Sequence, residues 1–147
     1  MVVSEFTGKT VFLDTAPLIY FIEGHSAYQP ALQQIFSAND KGVFTFLTSS
    51  ITLLEVLVKP IREDKQQIVH QYKNILTSAV GIEVAEIDNT VAIKAAELRA
   101  GHNLKTPDAL QLAVAVTLGA DYFLTNDIRL KNVASISIVT LDDLVPE

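Results

Sequence analysis

The sequence predicts an α/β domain, a parallel sheet covered by helices on both faces, and three observations lead there. Short apolar segments of strand character alternate with segments of helical periodicity along nearly the whole chain. The strand candidates, VFTFLT and YFLT among them, are almost continuously apolar or β-branched, as strands buried on both faces must be. With 49% hydrophobic residues in 147, the chain can bury one substantial core, and no linker, repeat or low-complexity tract divides it. Residues 1–147 are therefore read as a single domain.

Each element has a local reason. TVFLD at 10–14 is a β-branched and apolar run ending in an acid, and PLIYFIEG follows with Pro17 tolerable in a first helical turn. Over residues 30–41 the spacing of Ala31, Leu32, Ile35, Phe36 and Ala38 predicts a second helix, with Gly42 as its terminator. VFTFLT at 43–48 predicts a strand, after which Ser49 and Ser50 offer capping hydroxyls to a helix containing ITLLEVLV. Pro60 is expected to end or kink that helix. Residues 63–78 carry Ile68, Val69, Tyr72, Ile75 and Leu76 on one helical face, and IEVAEI at 82–87 returns to strand character.

Asp88 or Asn89 can cap a helix over 90–100, which Gly101 and Asn103 should break. Thr106 before Pro107 is a further start signal, for a helix through DALQLAVAVTL to Gly119. YFLT at 122–125 and SIVTL at 137–141 supply the last two strands.

Composition excludes several chemistries. Without cysteine there are no disulfides, thiolate zinc sites or cysteine nucleophiles. The start, MVVSEFTGKT, lacks the features of a signal peptide, and no apolar run approaches roughly 18 residues, so no membrane association and a cytoplasmic setting are expected. A net charge of −6 argues against holding nucleic acid mainly by neutralising phosphates, unless several of the carboxylates bind cations. Neither phosphate-binding glycine motif, G-x-x-x-x-G-K-[ST] or G-x-G-x-x-G, occurs. The hydrophobic excess for so small a chain predicts a homodimer or a partner covering apolar surface.

Four acids fall where an open α/β sheet places its ligand site, beyond the carboxyl ends of the strands. Asp14 ends the first strand, Glu55 lies in the helix after the second, Asp108 opens the helix before the fourth, and Asp127 follows the fourth. Singly each has an ordinary reading: a cap for Asp14, a helix-dipole partner for Asp108, turn chemistry for Asp127. Glu55 stands among Leu53, Leu54, Val56, Leu57 and Val58, which predicts a mostly buried helix whose carboxylate reaches solvent at its edge or meets a cation. Clustered carboxylates without cationic partners repel unless they bind protons or metal, and oxygen-only ligands select hard cations, here Mg²⁺ or Mn²⁺. His25, His70 and His102 stand in polar contexts and are read as surface residues. An aspartyl-phosphate phosphatase or phosphotransferase using Asp14 is the alternative, although Asp14 is followed by Thr15 and Ala16 rather than by the second acid of a D-x-D site.

The segments FLDTAPLIYFIEG, SSITLLEVLVKP and TPDALQLAVAVTLGADYFLTND resemble the successive motifs of PIN-domain ribonucleases. The resemblance covers nearly the whole chain and implies a three-layer α/β/α fold with a central parallel sheet. It also implies that Asp14, Glu55, Asp108 and Asp127 are acidic metal ligands with catalytic roles. Asp14 and Asp108 are expected to hold the principal ion, with Asp127 and Glu55 completing a second position or orienting water. Thr125 matches the hydroxyl that often accompanies the last acid, and Thr15 also matches. The chain is similar in size to the VapC toxins, which implies an RNA substrate cut to 5′-phosphate and 3′-hydroxyl ends and a small antitoxin partner blocking the site. Leu130 departs from the pattern, standing where many relatives place an aromatic residue. An inactive PIN-like interaction module is the non-enzymatic alternative, disfavoured by the presence of all four acids.

Overall fold

The computed structural model describes residues 1–133 and 135–145. Five strands form one sheet in the order β3-β2-β1-β4-β5. They are β1 (Thr10–Leu13), β2 (Thr45–Ser49), β3 (Ile82–Ala85), β4 (Tyr122–Thr125) and β5 (Ser137–Thr140), and every neighbouring pair is parallel. The helices are α1 (Thr15–Glu23), α2 (Gln29–Asp40), α3 (Ser50–Arg62), α4 (Gln66–Ser78), α5 (Asn89–Gly101), α6 (Thr106–Thr117) and the single turn α7 (Leu141–Leu144). Two 3₁₀ turns, Val3–Phe6 and Ile128–Asn132, complete the chain. The expected three-layer α/β/α arrangement is therefore what the sequence builds.

Alternation along the central strands sorts the core into two halves. Val11, Leu13, Phe46 and Leu124 point to the side packed by α1, α2, α3, α4 and α7. Phe12, Leu47 and Phe123 point to the side packed by α5 and α6. Phe12 and Phe123, paired in register on β1 and β4, stack with ring centroids 4.8 Å apart. The single-residue alternation explains why these strands read as continuous apolar runs.

Helix starts follow the sequence signals. Ser49 caps α3 by accepting from the Ile51 amide at 3.1 Å, and Asp88 caps α5 through the Val91 amide at 2.9 Å. Gly42 and Gly119, just past α2 and α6, hold φ of +79° and +74°, the left-handed region where a side chain would strain the backbone.

Four expectations need correction. Pro60 does not end α3, which continues past it to Arg62; it lies buried within the last turn. The following helix begins at Gln66 rather than 63, because the chain turns through Asp64 at φ +55°. Gly101 is the last residue of α5 rather than its breaker, and on that helix Ile93 is 63% exposed despite its apolar spacing. Finally, α3 is not mostly buried: only Thr52, Val56 and Pro60 are buried, while Leu54 and Ile61 are 61% and 57% exposed.

Candidate active site

The acids gather at the carboxyl edge of the sheet because β1 and β4 are neighbours. Asp14 follows β1 and caps α1, its Oδ1 accepting from the Thr15 amide at 2.9 Å. Its own amide donates to the Leu124 carbonyl at 3.0 Å, extending the β1–β4 ladder by one residue. Thr125, the last residue of β4 and almost wholly buried, donates its hydroxyl to Asp14 Oδ2 at 2.7 Å and accepts from the Asp127 amide at 3.1 Å. One threonine thus ties the first acid to the loop carrying the last. Capping and site-forming roles coincide in Asp14, so the ordinary reading of that residue and the functional one are compatible.

Thr15 donates its hydroxyl to Glu55 Oε1 at 2.7 Å, which brings the exposed α3 carboxylate over the start of α1. Beneath it runs a buried polar chain that the sequence did not reveal. Gln111 of α6 donates to Thr52 Oγ1 at 2.7 Å, and the Ser49 hydroxyl donates to the Gln111 side-chain oxygen. Thr52 and Thr48 hydroxyls lie 2.9 Å apart, and Thr48 donates to the Leu13 carbonyl at 2.7 Å. All four side chains are buried. Thr52 precedes Glu55 by one helical turn, and Gln111 follows Asp108 by one, so this strap sets the two acid-bearing faces against each other. A lone glutamine in ALQLAVAV was the available signal, since a buried amide must find partners.

Electrostatically the acids differ, with Asp14 and Asp108 raised and Asp127 lowered. Burial raises the Asp14 carboxyl above its ordinary value of 3.8; the Thr125 hydroxyl and the Thr15 amide oppose this, and the like charges of Asp108 and Glu55 add to the rise. Asp108 is also raised, by burial first and by Asp127 next, with Arg129 and Lys105 pulling the other way. Asp127 is lowered, because Arg129 grips it: Nε to Oδ1 at 2.9 Å and Nη2 to Oδ2 at 2.8 Å. Among the described residues, no cation stands against Asp14 comparably. Among the described residues, no three acid or histidine side chains are drawn together closely enough to hold a metal ion in their present orientations. The donor set nevertheless suits a hard cation, being all oxygen, with Asp14 raised by burial and like charge and keeping an unused lone pair on each oxygen.

The histidines contribute no ligand to this group. His70 is exposed as expected, whereas His25 is half-buried between Tyr20 and Tyr28, with ring centroids 4.5 and 4.7 Å away.

Among solved structures, the chain resembles the Rickettsia felis VapBC2 complex bound to a promoter DNA fragment, with TM-score 0.71 and 20% identity over 89% of this chain and 98% of that one. It also resembles DNA-bound VapBC from Salmonella typhimurium, with TM-score 0.66 and 21% identity over 90% and 98%. A third is a Mycobacterium tuberculosis VapC toxin described as cleaving the sarcin-ricin loop, with TM-score 0.64 and 16% identity over 77% and 86%. No curated protein matches in sequence. These likenesses, all under 25% identity, speak for the fold. The family follows from the sequence profile: the PIN domain model matches residues 11–136, a span that starts within β1 and ends beyond the Asp127 loop, and the chain belongs to the PIN-domain family.

Proposed function

We propose that this chain is an endoribonuclease of the PIN type that depends on Mg²⁺ or Mn²⁺, with Asp14 and Asp108 as principal ligands and Glu55 and Asp127 completing the site. The observation that carries the reading is Asp14: a half-buried residue whose carboxyl is raised by its surroundings, with the like charges of two further acids acting on it and, among the described residues, no cation paired with it. Asp143, outside the site, has Lys131 against it at 2.8 Å; Asp14 has no such partner among the described residues. A bound divalent ion would supply the missing charge, lower the pKa of water and neutralise charge developing on the phosphate oxygens.

The chain's own groups do the rest. Thr125 and the Thr15 amide hold Asp14 in one orientation. Thr15 holds Glu55 beside it, within reach of a water attacking from the solvent side. The Gln111–Thr52 strap keeps Asp108 and Glu55 at a constant separation.

In this reading the protein is the toxin of a toxin–antitoxin pair, since the solved structures it resembles include VapBC and other toxin–antitoxin complexes. It is also a homodimer, because α3 exposes Leu54, Val58 and Ile61 beside one another at helical spacing. Light scattering of the purified chain tests this, and a strict monomer would overturn it.

The direct test is cleavage of single-stranded RNA with Mg²⁺ or Mn²⁺, with EDTA, and by Asp14→Asn. Cleavage that needs the ion and is lost in the variant is expected. Undiminished cleavage in chelator would overturn the metal assignment, and a base-labile phosphoprotein at Asp14 would favour phosphotransfer instead.

A further inference from the structure

A chain of net charge −6 can hold an RNA strand only where cations gather locally on its surface. One cleft meets that condition. It opens beside Asp108 and Asp127, has a volume of about 320 Å³, and is rimmed by Arg99 of α5, Lys105 just before α6 and Arg129 of the second 3₁₀ turn. Three of the chain's 11 cations line it together with two of the acids, and Arg129 and Lys105 oppose the like-charge repulsion at Asp108.

Each keeps donors that the fold does not use. Arg99 uses Nε on the Leu104 carbonyl at 3.0 Å and Nη1 on Thr106 Oγ1 at 2.8 Å, and among the described residues its Nη2 has no partner. Arg129 chelates Asp127 through Nε and Nη2, leaving Nη1 open. Lys105 makes no side-chain hydrogen bond or ion pair among the described residues, yet it stands close enough to Asp108 and Asp127 to act on both carboxylates. Two rigid, partly anchored guanidinium forks and one free ammonium are a donor set suited to phosphate oxygens. Anchoring Arg99 through the loop that leads into α6 also means its fork is ordered before a ligand arrives.

We infer that this cleft receives a phosphate of single-stranded RNA adjacent to the one that is cut, so that Arg99, Lys105 and Arg129 fix the strand's register over the four acids. The inference rests on the ribonuclease reading. It assigns strand binding to a surface separate from Asp14, on the face of the sheet covered by α5 and α6.

The test is the salt dependence of RNA binding, measured by anisotropy of a labelled single-stranded oligoribonucleotide in the Asp14→Asn background with Mg²⁺, where cleavage is blocked. Each phosphate contact contributes about 0.7 to the slope of log K against log salt for single strands. Lys105→Gln should reduce that slope by about 0.7 and weaken binding several-fold, with its melting curve almost unchanged because the exposed side chain makes no hydrogen bond or ion pair among the described residues. Arg99→Gln should act in the same direction. Lys73→Gln, on α4 across the sheet, should leave the slope as it was. An unaltered slope in Lys105→Gln and Arg99→Gln, while wild type still cleaves RNA, would overturn the cleft and leave the ribonuclease reading intact. If Lys105→Gln instead released a co-purifying protein chain without altering RNA binding, the cleft would be a protein contact and the inference would fail. Wild type that neither binds nor cleaves RNA would sink the ribonuclease reading itself.

Discussion

The two sides of the acidic edge are built by opposite means. On the β1 side, Asp14 and Glu55 are placed by hydroxyls and amides: Thr15, Thr125 and the buried Ser49–Gln111–Thr52–Thr48 chain below. On the α6 side, Asp108 and Asp127 stand in an open cleft among Arg99, Lys105 and Arg129. One side buries neutral donors and tolerates charge repulsion; on the other, cations oppose that repulsion at Asp108 and outweigh it at Asp127. Neutral hydrogen bonds fix geometry without cancelling a carboxylate's charge, whereas a guanidinium fixes geometry at the expense of that charge. On the proposed reading the site would hold a cation and bind an anion, and the two surfaces suit those two tasks.

The sharpest break in that comparison is Asp108→Asn, the acid between the two sides. Cleavage should fall by orders of magnitude, while the metal-free protein melts at the same temperature or higher, because like-charge strain has been removed with the shape preserved. Stabilisation by Mn²⁺ should shrink together with activity. A less stable but fully active variant would show that Asp108 only complements its helix end.

Gln111→Leu tests the neutral side. It strips partners from two buried hydroxyls, Ser49 and Thr52, and should cost about 1–3 kcal/mol in denaturant unfolding. Cleavage should drop even where the variant is fully folded, because the faces bearing Glu55 and Asp108 are no longer strapped. Wild-type activity in the folded variant would reduce the strap to a stability device.

A smaller effect is expected with pH. Asp14 and Asp108 both have folded-state values raised above 3.8, so the folded state binds their protons more tightly than the unfolded chain does. Their contribution to stability is fully present below 3.8 and is lost as pH rises through the raised values. Metal-free melts should therefore climb on acidification from neutral pH through those values, and Asp14→Asn should flatten the climb. The smallest effect belongs to the charged side: Arg129→Ala should leave melting almost unchanged and let the Asp127 carboxyl rise toward 3.8, followed by carboxyl-carbon NMR.

How much of this was legible beforehand follows the same division. The acids could be placed on one edge from sequence because each is tied in sequence to a strand end or a helix start, and parallel strands bring such positions together. Gln111, Thr52 and Thr48 were not legible as a chain, since their partners are 59 and 4 residues apart and belong to different elements. The Arg129–Asp127 chelate was hidden because it depends on how a short 3₁₀ turn curls after β4. Leu54 and Val58 misled in the other direction: apolar residues around a helix imply that something covers them, but not that the same chain does.

The position of β1 at the centre of the sheet has a consequence for local opening. Strands β3 and β5 form the two edges, and edges are where hydrogen-bonded ladders begin to fray. The Asp14 amide, bonded to Leu124 between two flanking strands on each side, therefore belongs to the part of the molecule that opens last. Its deuterium exchange should track global unfolding, while the β3 amides exchange through smaller fluctuations. The first acid of the site is thus lost only when the whole domain is, and partial unfolding at either edge leaves it in place.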